Sequence, residues 1–255
     1  MCGFYLTNLP LKEDELKIKL KGISHRGPDF TGILQQDNLS FGHTRLSILD
    51  LDPRANQPML HEDYVLVFNG EIYNYKTIKN ELEELGETFS TQGDSEVLLV
   101  GYKRWGKALV PKLNGMFAFS IYDREKKEVF SARDRLGVKP FYYSWDKGVF
   151  EICSQIKPLS KGKTIDQEAI EIYLQTGYVP SPWSIYKEVK KLKPGFIMTM
   201  KLTEQEIELE QYWELQSPKE TNLSYQDAKE ELHKLLKDDR HQHKFHFLIL
   251  GQFLF

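Results

Sequence analysis

The stretch that decides the reading of this 255-residue chain is Met1-Cys2-Gly3-Phe4, taken together with Phe68-Asn69-Gly70-Glu71 further along. If Met1 is removed, Cys2 becomes the first residue and carries a thiol and a free α-amine within reach of each other, so that a nucleophile and its base share one residue. The reference pKa of an α-amine is about 8 and that of a thiol about 8.5, nearly matched near neutral pH, whereas a lysine amine at about 10.4 stays mostly charged. The plain alternative is a cysteine that merely follows the initiator, and the rest of the chain must decide between them.

Outward from this point, Gly3 to Thr7 predicts a short strand. Lys12 to Lys21 predicts a helix, because Leu16, Leu20 and Ile23 recur at helical spacing and Gly22 suits its end. His25-Arg26-Gly27-Pro28-Asp29 is a loop, either a plain turn or a charged frame beside the nucleophile. A strand is expected from Gly42 to Asp50, with Arg45 inside it. The planar guanidinium is well shaped to grip an α-carboxylate, although on spacing alone a solvated strand arginine is the better reading.

Tyr64 to Phe68 is an apolar run expected to form a buried strand that ends abruptly in a tight turn at Asn69-Gly70-Glu71. No matching strand follows directly, because Ile78, Leu82 and Leu85 form a helical stripe stopping at Gly86. The Asn69 amide and the Gly70 N–H are suited to stabilise a developing oxyanion. Asp94 precedes the stripe Leu98, Tyr102, Trp105 and reads as an N-cap or as a carboxylate for a substrate ammonium group, and spacing does not separate the two.

From Asn114 the chain turns strand-rich, with strands expected at 116–122, 128–132, 140–144 and 148–154. Arg133-Asp134-Arg135-Leu136-Gly137 between them reads as a catalytic basic cluster or, at least as well, as a structural ion-pair network, and is assigned no chemistry. A helix over 166–175 and strands over 196–201 and 206–212 follow. Strands dominating, with helices in no strict alternation, predict an α+β architecture.

Composition sets outer bounds. With 40% hydrophobic and 28% charged residues and a net charge of -3, the chain is an ordinary globular one without the basic footprint of a nucleic-acid or acidic-membrane partner. Two cysteines, Cys2 and Cys153, make no disulfide framework, and no Cys/His cluster has zinc spacing, so a reducing cytoplasm is expected and Cys153 reads as a core residue. The amino terminus lacks a signal-peptide apolar core, which leaves Met1 as the residue to be trimmed, and the apolar run 245–255 is too short to span a bilayer.

In this order the motifs resemble the glutaminase domain of class II glutamine amidotransferases, and most closely that of glutamine-hydrolysing asparagine synthetases. The likeness is carried by Met1-Cys2-Gly3, His25-Arg26-Gly27-Pro28-Asp29, Gly42 through Leu51, Phe68 through Tyr75, Gly93-Asp94-Ser95-Glu96, Asn114-Gly115-Met116-Phe117-Ala118 and Ala132 through Tyr143. It implies an N-terminal-nucleophile hydrolase fold, a four-layer αββα sandwich of two antiparallel sheets flanked by helices.

It also implies roles. Cys2 attacks the side-chain amide of glutamine, Asn69 and Gly70 form the oxyanion hole, and Arg45 takes the α-carboxylate. Asp94, with Glu71 nearby, takes the α-ammonium, and the backbone of Leu46, Ser47, Ile48 and Leu49 lines the pocket. No cofactor or metal is implied for this half; ATP and magnesium belong to a synthetase domain, which would receive the ammonia and amidate activated aspartate.

The resemblance places the glutaminase domain at 1–212 and the start of a synthetase domain at 213–237. The expected Ser-Gly-Gly-x-Asp-Ser phosphate loop does not follow, and 238–255, with His241, His243 and His246, is expected to be a disordered or non-native tail. A homodimer is left open. Two other readings also stand: the same glutaminase serving another acceptor, such as a cell-surface polysaccharide precursor, and a non-catalytic glutamine-binding remnant.

Overall fold

The computed structural model describes residues 2–216 and 223–242, with side chains to 237. The chain divides into a large unit, Met1–Glu214, and a small one, Leu215–Phe255. The expectation about Met1, and that for the tail from residue 243 on, lie outside the described residues.

The large unit contains β1 (Gly3–Thr7), α1 (Glu13–Lys21), β2 (Phe30–Gln36), β3 (Leu39–Arg45), β4 (Met59–His61), β5 (Tyr64–Ile72), α2 (Tyr75–Glu84) and α3 (Asp94–Trp105). It continues with β6 (Gly115–Asp123), β7 (Glu128–Arg133), β8 (Tyr142–Asp146), β9 (Val149–Cys153), α4 (Gln167–Thr176), β10 (Lys190–Lys191), β11 (Phe196–Lys201) and β12 (Glu206–Gln211). The strands form two antiparallel six-stranded sheets, ordered β10-β8-β9-β1-β3-β2 and β12-β11-β7-β6-β5-β4.

Side-chain alternation explains why the sheets stack. Phe4 and Leu6 of β1, Phe41 of β3, and Val65 and Val67 of β5 meet in one buried layer between the sheets. The intervening residues point the other way. Tyr5 and Cys153 join Leu16 and Leu20 of α1, while Leu66 and Phe68 join Ile78 and Leu82 of α2 and Leu98 and Tyr102 of α3. The outcome is an αββα sandwich, helix layers covering both outer faces, of the α+β class that the strand-rich pattern predicts and with the layers that the family resemblance implies.

Several expectations need correction. The strand through Arg45 stops there, and 46–50 leaves the sheet. Asn69-Gly70-Glu71 is no turn: β5 runs through it to Ile72, with Asn69 opposite Ala118, Gly70 opposite Phe117 and Glu71 opposite Met116. A Cβ on Gly70 would lie 2.4 Å from the Met116 carbonyl oxygen, so the glycine serves close strand approach and not chain reversal.

Strands β2, β4 and β10 are not foreseen by the sequence reading, because β2 carries Gln and Gly on a half-exposed strand and the other two are only three and two residues long. The 133–137 cluster is held mainly by backbone groups rather than ion pairs. Arg133 donates to the carbonyls of Gly137, Lys139 and Leu192, and the Asp134 carboxylate accepts from Phe117, Val138 and Lys139 N–H.

In the small unit, α5 spans Tyr225–Gln242, so the first residues of the expected tail from Asp238 are helical. Ser224 Oγ accepts from the Asp227 N–H at 3.2 Å and starts it. No helix among the described residues is long and apolar enough to cross a membrane.

Candidate active site

The alternation that builds the inter-sheet layer also builds the site. Cys2, one residue before β1, continues the parity of Phe4 and Leu6 and so faces the second sheet. His43 and Arg45 continue the parity of Phe41, and Asn69 and Glu71 that of Val65 and Val67. Residues scattered through the first third of the sequence therefore converge at one mouth between the sheets.

The thiol of Cys2 lies against the first residue beyond β3. Leu46 N–H donates to Sγ at 3.4 Å, and Sγ stands 3.6 Å from the Leu46 carbonyl oxygen. Burial pushes the thiol above its ordinary pKa, against the pull of the Leu46 N–H and the Arg45 charge, while Asp94 pushes it further up. A thiol in this setting needs a base to become a nucleophile at neutral pH.

The main chain of Cys2 is fixed from two sides. Arg26 Nε donates to its carbonyl oxygen at 2.8 Å. In the amide orientation that satisfies both neighbours, the Asn69 nitrogen donates to the same oxygen at 3.0 Å and the Asn69 oxygen accepts from Arg26 Nη2 at 3.2 Å. In the sequence only its place in a charged loop beside the terminal strand points to Arg26. Its loop is held by a close approach, for a Cβ on Gly27 would lie 2.4 Å from the Thr44 carbonyl.

Gly70 N–H has a defined direction. In an antiparallel ladder alternate residues bond to opposite sides, and Phe117, opposite Gly70, uses its own N–H and carbonyl on Asp134. Gly70 therefore turns its N–H to the other edge of β5, beyond the end of β4, where no strand among the described residues lies beside it. Two residues on, the Ile72 N–H facing that edge donates to Asp94 Oδ2 at 3.0 Å.

Asp94 is the first residue of α3, and Gly93 is the N-cap, so the expected N-cap assignment is displaced by one residue. Its carboxyl is buried, and burial raises its pKa to about 7, with the Ile72 N–H opposing and the Glu71 charge adding. Arg45, also buried, is occupied within its own loop: Nη1 donates to Asp52 O and Asn56 Oδ1, and Nη2 to Leu49 O and Asp50 O. Asp50 also accepts from Gln92 N–H at 2.7 Å, which ties the Arg45 loop to the segment leading into Asp94.

Of the expected pocket backbone, Leu46 meets Cys2, Ser47 N–H donates to Asp29 Oδ2 at 2.7 Å, Leu49 meets Arg45, and the Ile48 side chain is exposed. Among the described residues no cluster of three or more His, Cys, Asp or Glu side chains could hold a metal ion.

Known proteins resemble this chain in sequence over most of its length. A putative glutamine-hydrolysing asparagine synthetase 2 of Methanocaldococcus jannaschii is 38% identical over 229 residues, covering 80% of this chain and 44% of that one. Asparagine synthetase 1 of Bacillus subtilis is 38% identical over 213 residues, covering 79% of this chain and 34% of that one. The chain thus spans less than half the length of these relatives.

Among solved structures, the glutamine phosphoribosylpyrophosphate amidotransferase of B. subtilis superposes with a TM-score of 0.62 over 84% of this chain and 49% of that one, at 18% identity, a likeness of fold. Residues 1–213 match the sequence profile of a glutamine amidotransferase domain, and it is to this family that the chain belongs.

Proposed function

We propose that the chain is the glutaminase part of a glutamine-hydrolysing asparagine synthetase, with Cys2 as nucleophile once Met1 is removed. The observation that carries this reading is the corner in which the Cys2 main chain is held by Arg26 and Asn69 while Sγ faces Leu46.

In this reading the freed α-amine of Cys2 takes the thiol proton, and Sγ attacks the glutamine side-chain carbonyl carbon. The oxyanion meets the Gly70 N–H and the second N–H of the Asn69 amide. The α-ammonium returns its proton to the leaving nitrogen, ammonia departs, and a glutamyl thioester remains. Water, deprotonated by the same amine, then frees glutamate and the thiol.

Asp94 and Glu71 receive the substrate ammonium group. Arg45 receives the α-carboxylate by exchanging acceptors with the 49–56 loop. Ammonia passes to a synthetase domain, where magnesium and ATP serve to activate aspartate, and the reaction belongs in a reducing compartment that keeps Cys2 a free thiol. Glutamate release from glutamine by the purified protein, absent in Cys2→Ala, is the test; undiminished release by that variant refutes the reading.

A further inference from the structure

Beyond the Met59–Leu66 pair, β4 ends and the edge backbone groups of β5 have no neighbouring strand among the described residues. Buried N–H and C=O groups left unpaired are costly, and along this edge side chains take them up. Gln57 Oε1 accepts the Phe68 N–H at 2.6 Å, His43 Nε2 lies 3.1 Å from the Phe68 carbonyl oxygen, and Asp94 takes the Ile72 N–H. Gly70 lies between them, with its N–H on the same edge.

We propose that His43, working with Gln57, is a positioning residue that clamps the Phe68–Asn69 peptide and thereby sets the oxyanion-binding corner relative to Cys2. The inference rests on the glutaminase reading above.

The two partners of the reaction stand on different sheets. Cys2 leads into β1 in one sheet, and Asn69 and Gly70 lie on β5 in the other. Apolar packing between sheets is non-directional and tolerates small slides, whereas a hydrogen bond from β3 to the Phe68 carbonyl does not. His43 sits opposite Phe4 in the β1–β3 ladder, two residues from Cys2 in the chain direction of β1, so its bond joins the nucleophile's sheet to the peptide immediately before Asn69. Gln57 holds the opposite end of Phe68, and its Nε2 reaches Ser95 Oγ at 3.3 Å, beside Asp94.

The chemistry of the ring fits a fixed donor. His43 is fully buried, and burial together with the Arg45 charge lowers its pKa to about 4, so it is neutral where the enzyme works. A neutral imidazole donates from one nitrogen only, and the carbonyl demands that it be Nε2. Nδ1 is then left as a buried acceptor without a partner among the described residues. An apolar side chain of similar size would avoid that cost, so packing alone does not account for a histidine here.

The test compares His43→Leu and His43→Gln in the processed protein. The leucine variant is expected to lose about 10–100-fold in kcat for glutamine hydrolysis, the scale of a small misplacement of catalytic groups, with KM within about twofold. Its Cys2 should react with iodoacetamide at nearly the wild-type rate, because that displacement develops no oxyanion at a carbonyl. The glutamine variant, whose amide can reach the Phe68 carbonyl, should recover most of kcat.

Parallel losses in kcat, KM and alkylation, or no advantage of Gln over Leu, overturn the proposal. Should His43→Leu fail to fold, histidine nitrogen spectra of the wild type decide: a neutral ring protonated at Nε2 is required between pH 5 and 8 (about one unit above the value of about 4 at the low end), and an Nδ1–H tautomer overturns it. A wild type that releases no glutamate removes the glutaminase reading and this inference together, whereas an active wild type with a fully active leucine variant removes this inference alone.

Discussion

The side-chain amide of Asn69 donates to the carbonyl oxygen of Cys2 across 3.0 Å, so the residue proposed to stabilise the oxyanion also holds the main chain of the residue proposed to attack. One N–H of the amide is used in this way and the other remains for substrate. Asn69→Ala is therefore expected to lower kcat about 100-fold or more, with a smaller change in KM. Steady-state glutamate release measures it, and a loss confined to KM would contradict the assignment.

Arg26 makes a second tie to the same carbonyl through Nε while Nη2 reaches Asn69. A lysine keeps the charge but presents a single ammonium in place of the planar fork. Arg26→Lys should reduce kcat about tenfold, a fraction of the loss expected from a misplaced catalytic group. Unchanged kcat in this variant would mean that charge alone, not the two-point contact, is what matters.

Gly70 tests the close approach of β5 and β6. A methyl there meets the Met116 carbonyl oxygen at 2.4 Å and the Phe68 ring at 2.6 Å. Gly70→Ala should destabilise the fold by about 1–3 kcal/mol through strand displacement and abolish hydrolysis along with it. Thermal unfolding reads the first effect; an unchanged Tm would show that the ladder has room.

Asp94 gives a pH dependence with a definite sign. Its folded pKa is raised, by burial first, to about 7. The carboxyl is thus increasingly protonated as pH falls through 7, and only the ionised form pairs with a substrate ammonium. KM for glutamine should rise as pH falls from 8 to 6, about one unit either side of that value, and Asp94→Asn should show a high KM with that dependence gone. A KM that is flat across this range in the wild type would remove Asp94 from ammonium recognition.

The two thiols should differ in reactivity. Cys153 is fully buried beside α1, where burial drives its pKa up to about 12, whereas Cys2 is only partly covered. Alkylation of the native protein should modify Cys2 and leave Cys153 untouched, as peptide mass mapping would show. Labelling of Cys153 at a comparable rate would mean that α1 opens readily.

Much of the fold is legible in the chain because its signals are local. The expected strands at Gly3–Thr7 and Phe196–Lys201 match β1 and β11 to the residue, and α3 follows from Leu98 and Tyr102 at helical spacing. The misreadings have physical causes. Asn-Gly is a turn signal in isolation, and only the neighbouring strand, with the Met116 carbonyl pressed against Gly70, reveals why glycine stands in mid-strand.

The site is half legible for the same reason. Cys2 and Asn69 could be picked out by their chemistry, but the contacts of Arg45 come from Leu49, Asp50, Asp52 and Asn56, a loop that folds back on it. Local spacing carries no trace of that return. Nor does it reveal Arg26 or His43, whose partners lie across the sandwich at Asn69 and Phe68.

The most direct measurement is mass spectrometry of the protein acid-quenched during turnover with glutamine. An amino-terminal peptide that begins at Cys2 and carries a glutamyl thioester on that residue is the expected result. Turnover by a chain that retains Met1, or an acyl group found on any other residue, would contradict it.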